Sequence, residues 1–335
     1  MRLVLARRDA LILLGWQLCA LLLTGTGYFS QRLAERNVSA PAAQSFANYL
    51  LLALIFVPTL ALTRSRRRRG LTRPKPWHWL LVALADVEGN YLLVLAYRFT
   101  DLLSVSLLDA FTVPCVLLLS RCLFGVKYGA RQLGAVALCL AGLAVLLASD
   151  ALQRPPSSSA AETSGAAWLG DVLVLAGAAL YAVSNVAQER LVQTLDAAEY
   201  LAHLGAYGAV VSAAQAALLE RAQIQAAWAA ADGRVAALEA GFIGCLTGLY
   251  LLAAALMRAG STATTMNLSL LLSDFYSVLV GVGLLGSRPT GWYALAFCCV
   301  VGGLLGYHAG SRPKATAGSP LAEDLLPARV DEEGS

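Results

Sequence analysis

A chain of 335 residues that is 58% hydrophobic and only 14% charged lies far from soluble domains, where about 25% of residues are charged, and excludes a water-exposed globular fold. The net charge of +4 does not point to nucleic acid, because the basic excess is concentrated in Arg64–Lys75, directly after an apolar segment, where it suits an anchor beside anionic lipid headgroups. The seven cysteines (19, 115, 122, 139, 245, 298 and 299) form no CxxC pair and the three histidines (78, 203 and 308) are scattered, so the thiols read as small apolar residues and neither a metal nor a cofactor is expected.

Apolar stretches of about 20 residues, the length of helix that crosses roughly 30 Å of hydrocarbon, recur along the chain near residues 9–29, 43–63, 77–97, 101–120, 132–149, 167–188, 199–219, 236–257, 262–285 and 291–309. The expected fold is an all-α integral membrane protein of ten transmembrane helices. Arg7 and Arg8 ahead of the first stretch mimic a signal peptide, but the stretch is too long and no small-residue cleavage pattern follows Gly25. Residues 150–166, rich in Pro, Ser and Gly, read as a linker loop between residues 1–149 and 167–311, five spans each. Glu220–Arg234 is Ala-rich enough to hold an interfacial helix, and residues 312–335 read as a disordered tail.

Orientation follows from Lys and Arg, which favour cytoplasmic loops. With both termini in the cytosol, 18 of the 25 basic residues fall on that side. The same topology puts the sequon Asn37-Val38-Ser39 in the first outer loop, where Asn37 is an N-glycosylation candidate. Five spans per half force the halves into opposite topologies, so any similarity between them makes an inverted repeat. A shift of 160 residues places Arg98 on Arg258, Leu108 on Leu268 and Gly142 on Gly302. Transporters built from such repeats bind solute at the repeat interface.

Carboxylates inside apolar spans mark the candidate site, since a charge at the bilayer centre costs roughly 3 kcal/mol even on lenient scales. On the third span Asp86 and Asn90 share one face, while Glu88 and Tyr91 share another. Glu88 is the first choice for substrate binding or coupling, with Tyr91 as an aromatic wall and Gly89 allowing a neighbouring helix or a solute to approach; Asp86 has Asn90 as a plausible structural partner. Asp109 on the fourth span precedes Pro114, whose ring and missing N–H suit a kink and a moving gate. The ninth span carries a polar stripe of Asn267, Ser269, Ser273, Asp274, Tyr276 and Ser277, either lining a pathway or gluing helices together.

The segments AlaAspValGluGlyAsnTyr at 85–91, SerValSerLeuLeuAspAlaPhe at 104–111 and AsnLeuSerLeuLeuLeuSerAspPheTyrSer at 267–277, set in a ten-span layout, resemble solute carrier family 35, subfamily F, of the drug/metabolite transporter superfamily. The resemblance covers residues 9–310 and implies a secondary-active, alternating-access carrier with both termini cytosolic, in the plasma membrane or an endomembrane. Nucleotide-sugar carriers must neutralise phosphate with Lys or Arg. Here all three lysines lie in loops or the tail and the midmembrane charges are negative, so a cationic or neutral solute, nucleobase-like or amine-bearing, ranks above a nucleotide sugar. Proton coupling and homodimerisation stay open. A membrane scaffold or receptor without transport is the competing class. An enzyme is not expected, because no nucleophile–base pair is visible, and neither is ATP-driven pumping, because no GxxxxGK motif occurs.

Overall fold

The computed structural model describes residues 2–34, 36, 38, 40–63, 74–96, 99, 108–153, 167–229, 232–273, 275–277, 291–309 and 314–315. Asn37, Asp274, the basic run 64–73, most of the 150–166 linker and the tail after 315 lie outside the described residues.

The described chain is almost wholly helical: α1 (Arg2–Ala34), α2 (Pro41–Thr63), α3 (Pro76–Ala96), α4 (Thr112–Phe124), α5 (Ala130–Gln153), α6 (Ala167–Thr194), α7 (Ala197–Leu219), α8 (Arg221–Ala229), α9 (Gly233–Arg258), α10 (Ala263–Leu270) and α11 (Gly291–Ala309). A helix overlaps each of the ten apolar stretches, and α8 occupies the Ala-rich break where an interfacial helix is expected. Among the described residues five helices, α1, α2, α6, α7 and α9, are long and apolar enough to cross a membrane by length and composition; α4 and parts of α5 and α11 form shorter apolar helices. Outward-facing Leu11, Leu14, Leu18 and Leu21 on α1 are exposed at helical spacing, as are Leu50, Leu54 and Val57 on α2. Stripes of this kind are what a lipid-facing helix presents, since all of its backbone polar groups are satisfied internally.

Proline and capping explain several boundaries. Pro41 and Pro76 open α2 and α3, positions where the missing N–H costs nothing and the fixed φ suits a first helical turn. Pro114 is the third residue of α4, which starts at Thr112 after helical Leu108–Asp109 and a turn at Ala110–Phe111, so the helical path is interrupted just before the proline, whose missing N–H cannot bond the Ala110 carbonyl. Asp196, Asp232 and Thr262 cap α7, α9 and α10. The N–H of Val235 and nearby Arg36 hold the Asp232 carboxyl below the usual carboxylate range. Val126–Lys127 pairs antiparallel with Lys314–Ala315, tying the loop after α4 to the stretch beyond α11.

Helices pack chiefly as α2 with α7, α5 with α11, α3 with α6 and α1 with α9, supported by α3 with α7, α2 with α9, α4 with α6 and α1 with α10. Glycine sets the closest approaches. Gly25, Gly241 and Gly248 place α1 antiparallel to α9, through contacts to Cys245, Phe29 and Leu22 respectively. A Cβ on Gly205 would stand 2.6 Å from the backbone N of Ala53 and 2.9 Å from Leu52 Cβ, so α7 approaches α2 as closely as backbones allow. Gly205→Val is therefore expected to force the pair apart, at an overpacking cost of about 1–3 kcal/mol or more. The measurement is the thermal transition of purified protein in detergent, and an unchanged transition would contradict the close contact.

Candidate functional site

The carboxylate of Asp86 on α3 is 4% exposed and accepts three hydroxyl hydrogen bonds, from Tyr49 Oη of α2 at 2.6 Å, Tyr250 Oη of α9 at 2.5 Å and Ser184 Oγ of α6 at 2.7 Å. The two tyrosine rings meet edge to face, 6.0 Å between centroids. Burial strips the carboxylate of water, and the three hydroxyls supply in its place short charge-assisted contacts. Four helices thus converge on one acid. One turn further along α3, Asn90 donates to Ser45 Oγ at 2.7 Å and accepts from Tyr181 Oη at 3.1 Å, so Asn90 does not serve as the partner of Asp86. Between them Gly89 lies against Gly177 and Tyr181 of α6, and a Cβ on Gly177 would sit 3.1 Å from the Gly89 carbonyl. The approach that Gly89 permits is that of α6.

Glu88 points elsewhere. Its oxygens face Gln215 Nε2 of α7 at 3.3 and 3.4 Å, longer than a well-formed amide–carboxylate bond. Gln215 is itself buried, and its Oε1 has no hydrogen-bond partner among the described residues. Glu88 and Tyr91 are both half-buried. The division of the two acids onto different faces of α3 is as the four-residue spacing predicts: Asp86 is held by α2, α6 and α9, and Glu88 meets α7.

On α10, Asn267 donates to the Ala263 carbonyl at 2.8 Å and accepts from Asn185 Nδ2 of α6 at 3.2 Å. Beyond the end of α10, the Ser273 carbonyl accepts from Thr24 of α1 at 3.0 Å and Tyr276 Oη donates to Gln17 of α1 at 2.8 Å. These members of the stripe are bonded to α1 and α6, whereas the buried Ser269 Oγ has no partner among the described residues. Asp109 lies apart, in helical backbone just before the Ala110–Phe111 turn that precedes α4, with its Oδ1 buried and without a partner among the described residues. The central polar cluster therefore contains Asp86, Glu88 and Asn90, with Asn267 on an adjoining branch through Asn185.

Comparison with known proteins follows the same line. The family model described as "Solute carrier family 35" (SLC35F) matches residues 7–309. The chain belongs to solute carrier family 35. It is 36% identical over 330 residues to solute carrier family 35 member F2 of Mus musculus, covering 95% of this chain and 85% of the relative. The protein of the same name from Xenopus tropicalis is 32% identical, with 92% and 79% covered. An uncharacterised family member of Schizosaccharomyces pombe is 34% identical over 87% of this chain and 56% of its own length. A crystal structure matches with a TM-score of 0.62 over 93% of this chain and 99% of that one, at 19% identity, which establishes the likeness of fold alone.

Family membership makes this chain a multi-pass membrane solute carrier. The residues of this polar cluster that the charge pattern of the sequence does not single out are neutral ones: Ser45, Asn48 and Tyr49 on α2, Tyr181, Ser184 and Asn185 on α6, and Thr247 and Tyr250 on α9. Asn48, fully buried, accepts from Thr247 Oγ1 at 2.8 Å. A signal for them exists in the sequence. Ser45, Asn48 and Tyr49, and likewise Tyr181, Ser184 and Asn185, recur three and four residues apart within apolar helices, so each set faces one direction. Among the described residues no group of three or more His, Cys, Asp and Glu could hold a metal ion. The clustered chemistry is that of hydroxyls, amides and two carboxylates.

Proposed function

We propose that this protein is a secondary-active carrier of a small cationic or neutral organic solute, nucleobase-like or amine-bearing, working by alternating access. The observation that carries the solute class is the make-up of the cluster on α2, α3, α6, α7 and α9: two carboxylates, Asp86 and Glu88, among Ser45, Asn48, Tyr49, Asn90, Tyr181, Ser184, Gln215, Thr247 and Tyr250, with no Lys or Arg hydrogen-bonded into it among the described residues. In a low-dielectric setting such a cluster attracts a cation or hydrogen-bonds a neutral solute and repels phosphate. Glu88, Tyr91 and Asp86 are the central binding or coupling residues, and Asp109, Asn267, Ser273, Asp274 and Tyr276 belong to the pathway. The test is uptake of a labelled metabolite panel into proteoliposomes, with and without a pH gradient. Accumulation of amines or nucleobase-like solutes is expected; uptake confined to nucleotide sugars would overturn the reading.

Ten spans in two inverted five-helix repeats are supported by the chief packed pairs. With α8 set aside, exchange of each helix with the one five places along leaves the α2–α7 and α5–α11 pairs unchanged, and converts α1–α9 into α6–α3, α3–α7 into α9–α2, and α1–α10 into α6–α4, all of which are packed pairs. The α5–α11 contact supports the same symmetry in side chains. Gly142 of α5 lies against Ala296 and Cys299 of α11, and Gly303 of α11 lies against Ala135 and Cys139 of α5, so a Gly, a Cys and an Ala from each helix make reciprocal contacts.

The termini are cytosolic in this reading, on the basis of the 18 basic residues assigned to that side. A reporter inserted between Asp150 and Gly165 is expected to be accessible from the extracytosolic side, and one fused after Arg312 from the cytosol. Same-side labelling would overturn the odd number of spans per half, and reversal of both would overturn the orientation.

A further inference from the structure

At the end of the bundle where α1 stops and α2 starts, the polar contacts crossing between the two halves run between residues 36–44 and residues 220–239. Glu220, the residue that ends α7, is 3% exposed. Its Oε1 accepts the backbone N–H of Ala42 at 2.9 Å and its Oε2 that of Ala43 at 3.1 Å. Beside it, Gln44 Nε2 donates to Glu239 Oε1 of α9 at 3.2 Å, and Arg36 pairs with Asp232 at 3.4 Å. Leu33, Val38 and Val235 form a small apolar cluster next to these ties, with Ala227 of α8 and Leu238 packed against it.

The first N–H groups of a helix have no partner within the helix, and the N-terminal end of the helix dipole favours a negative charge. Glu220 answers both demands with two charge-assisted bonds from a single side chain. Further along, α2 and α7 touch most closely at mid-length, where Gly205 meets Leu52 and Ala53 and Gly208 meets the ring of Tyr49. Two antiparallel helices pinned at their middles and tied at one end are built to rock: the mid-length contact persists while the tied end parts.

We propose that Glu220 is the latch of the gate at this end of the carrier, releasing its two bonds to the first turn of α2 each time the end opens, with the Gly205–Gly208 contact as the fulcrum. The inference rests on the alternating-access reading and adds to it the residue that holds one state closed. Glu220 positions α2 and touches no solute. Its removal shifts the balance of states toward the form open at this end.

The test needs no transported solute. Ser45, one turn inward from Ala42 and bonded to Asn90, is replaced by Cys in a background with the seven native cysteines removed, and the protein is reconstituted in liposomes. The rate at which a membrane-impermeant methanethiosulfonate labels Ser45→Cys from the α2-start side is the readout. Glu220→Gln keeps the shape but turns an amide N–H₂ toward one backbone N–H. It is expected to speed labelling about tenfold, the factor equivalent to about 1.4 kcal/mol. A disulfide between Ala43→Cys and Glu220→Cys is expected to reduce labelling to background, with recovery on reduction. That arm decides the matter even if Glu220→Gln folds poorly: free labelling through the closed disulfide would overturn the latch. Unchanged labelling in well-folded Glu220→Gln would overturn it too, while leaving the pathway intact. A Ser45→Cys site inert from both sides in every variant would overturn the carrier reading itself.

Discussion

Asp86→Ala is expected to lower the folded yield sharply and to depress the thermal transition by more than any other single-residue change in the polar cluster. Removing the carboxylate strands the hydroxyls of Tyr49, Tyr250 and Ser184, all bonded to it, and each buried donor left without a partner costs about 1–3 kcal/mol. One compensation runs the other way, because an acid no longer has to be held inside an apolar segment, a cost of roughly 3 kcal/mol on the lenient scales. Three stranded donors outweigh it. Tyr49 and Tyr250 retain one contact between their hydroxyls, at 3.3 Å, which softens the loss but satisfies only one of the pair as donor. Asp86→Asn should fall between wild type and Ala, since its carbonyl still accepts while its amide N–H₂ faces a hydroxyl that must turn round. The check is fluorescence-detected thermal denaturation of Asp86→Ala, Asp86→Asn and Tyr250→Phe in one detergent. Equal stability of Asp86→Ala and wild type would mean that the three short bonds do not hold the four helices together.

What could be read from the sequence and what could not divide along physical lines. Charges in apolar spans are conspicuous because hydrocarbon penalises them, so Asp86 and Glu88 are legible from one segment alone. Their assignment to two faces is legible as well, since four residues make about one helical turn. The partners are not. Nothing local to Asp86 says that the tyrosines 37 positions before and 164 after will reach it, and tyrosine in a membrane protein reads first as an interface residue. In the sequence Gly89 suits the approach of either a helix or a solute, and only the position of Gly177 decides for the helix. Glu220 does not stand out in the sequence, because a carboxylate at the end of a span looks like ordinary loop chemistry. Its burial depends on the first turn of α2, which lies about 178 residues away in sequence. The interruption at Ala110–Phe111 is legible from Pro114, because a proline cannot donate to the carbonyl four residues before it.

The two acids of α3 are thus predicted to fail in different ways, and Glu88→Gln supplies the contrast. Among the described residues Glu88 has one side-chain hydrogen-bond partner, Gln215, whose amide stands 3.3 and 3.4 Å from the two carboxylate oxygens, and a glutamine in its place still offers an acceptor to that amide. Little stability is therefore at stake, and a neutral side chain is easier to bury than an ionised acid. What disappears is the negative charge and the ability to exchange a proton. If a cationic solute or a proton is engaged there, net transport should drop about tenfold or more, because loss of even ~1.4 kcal/mol of a charge-assisted contact is a factor of ten. The thermal transition should stay within the range of wild type. Uptake into proteoliposomes and denaturation in detergent, measured on the same preparation, separate the two effects. Full uptake by Glu88→Gln would remove Glu88 from the binding or coupling site, and loss of folding in place of uptake would make it a structural partner of α7, moving the search for the coupling group to Asp86 and Asp109.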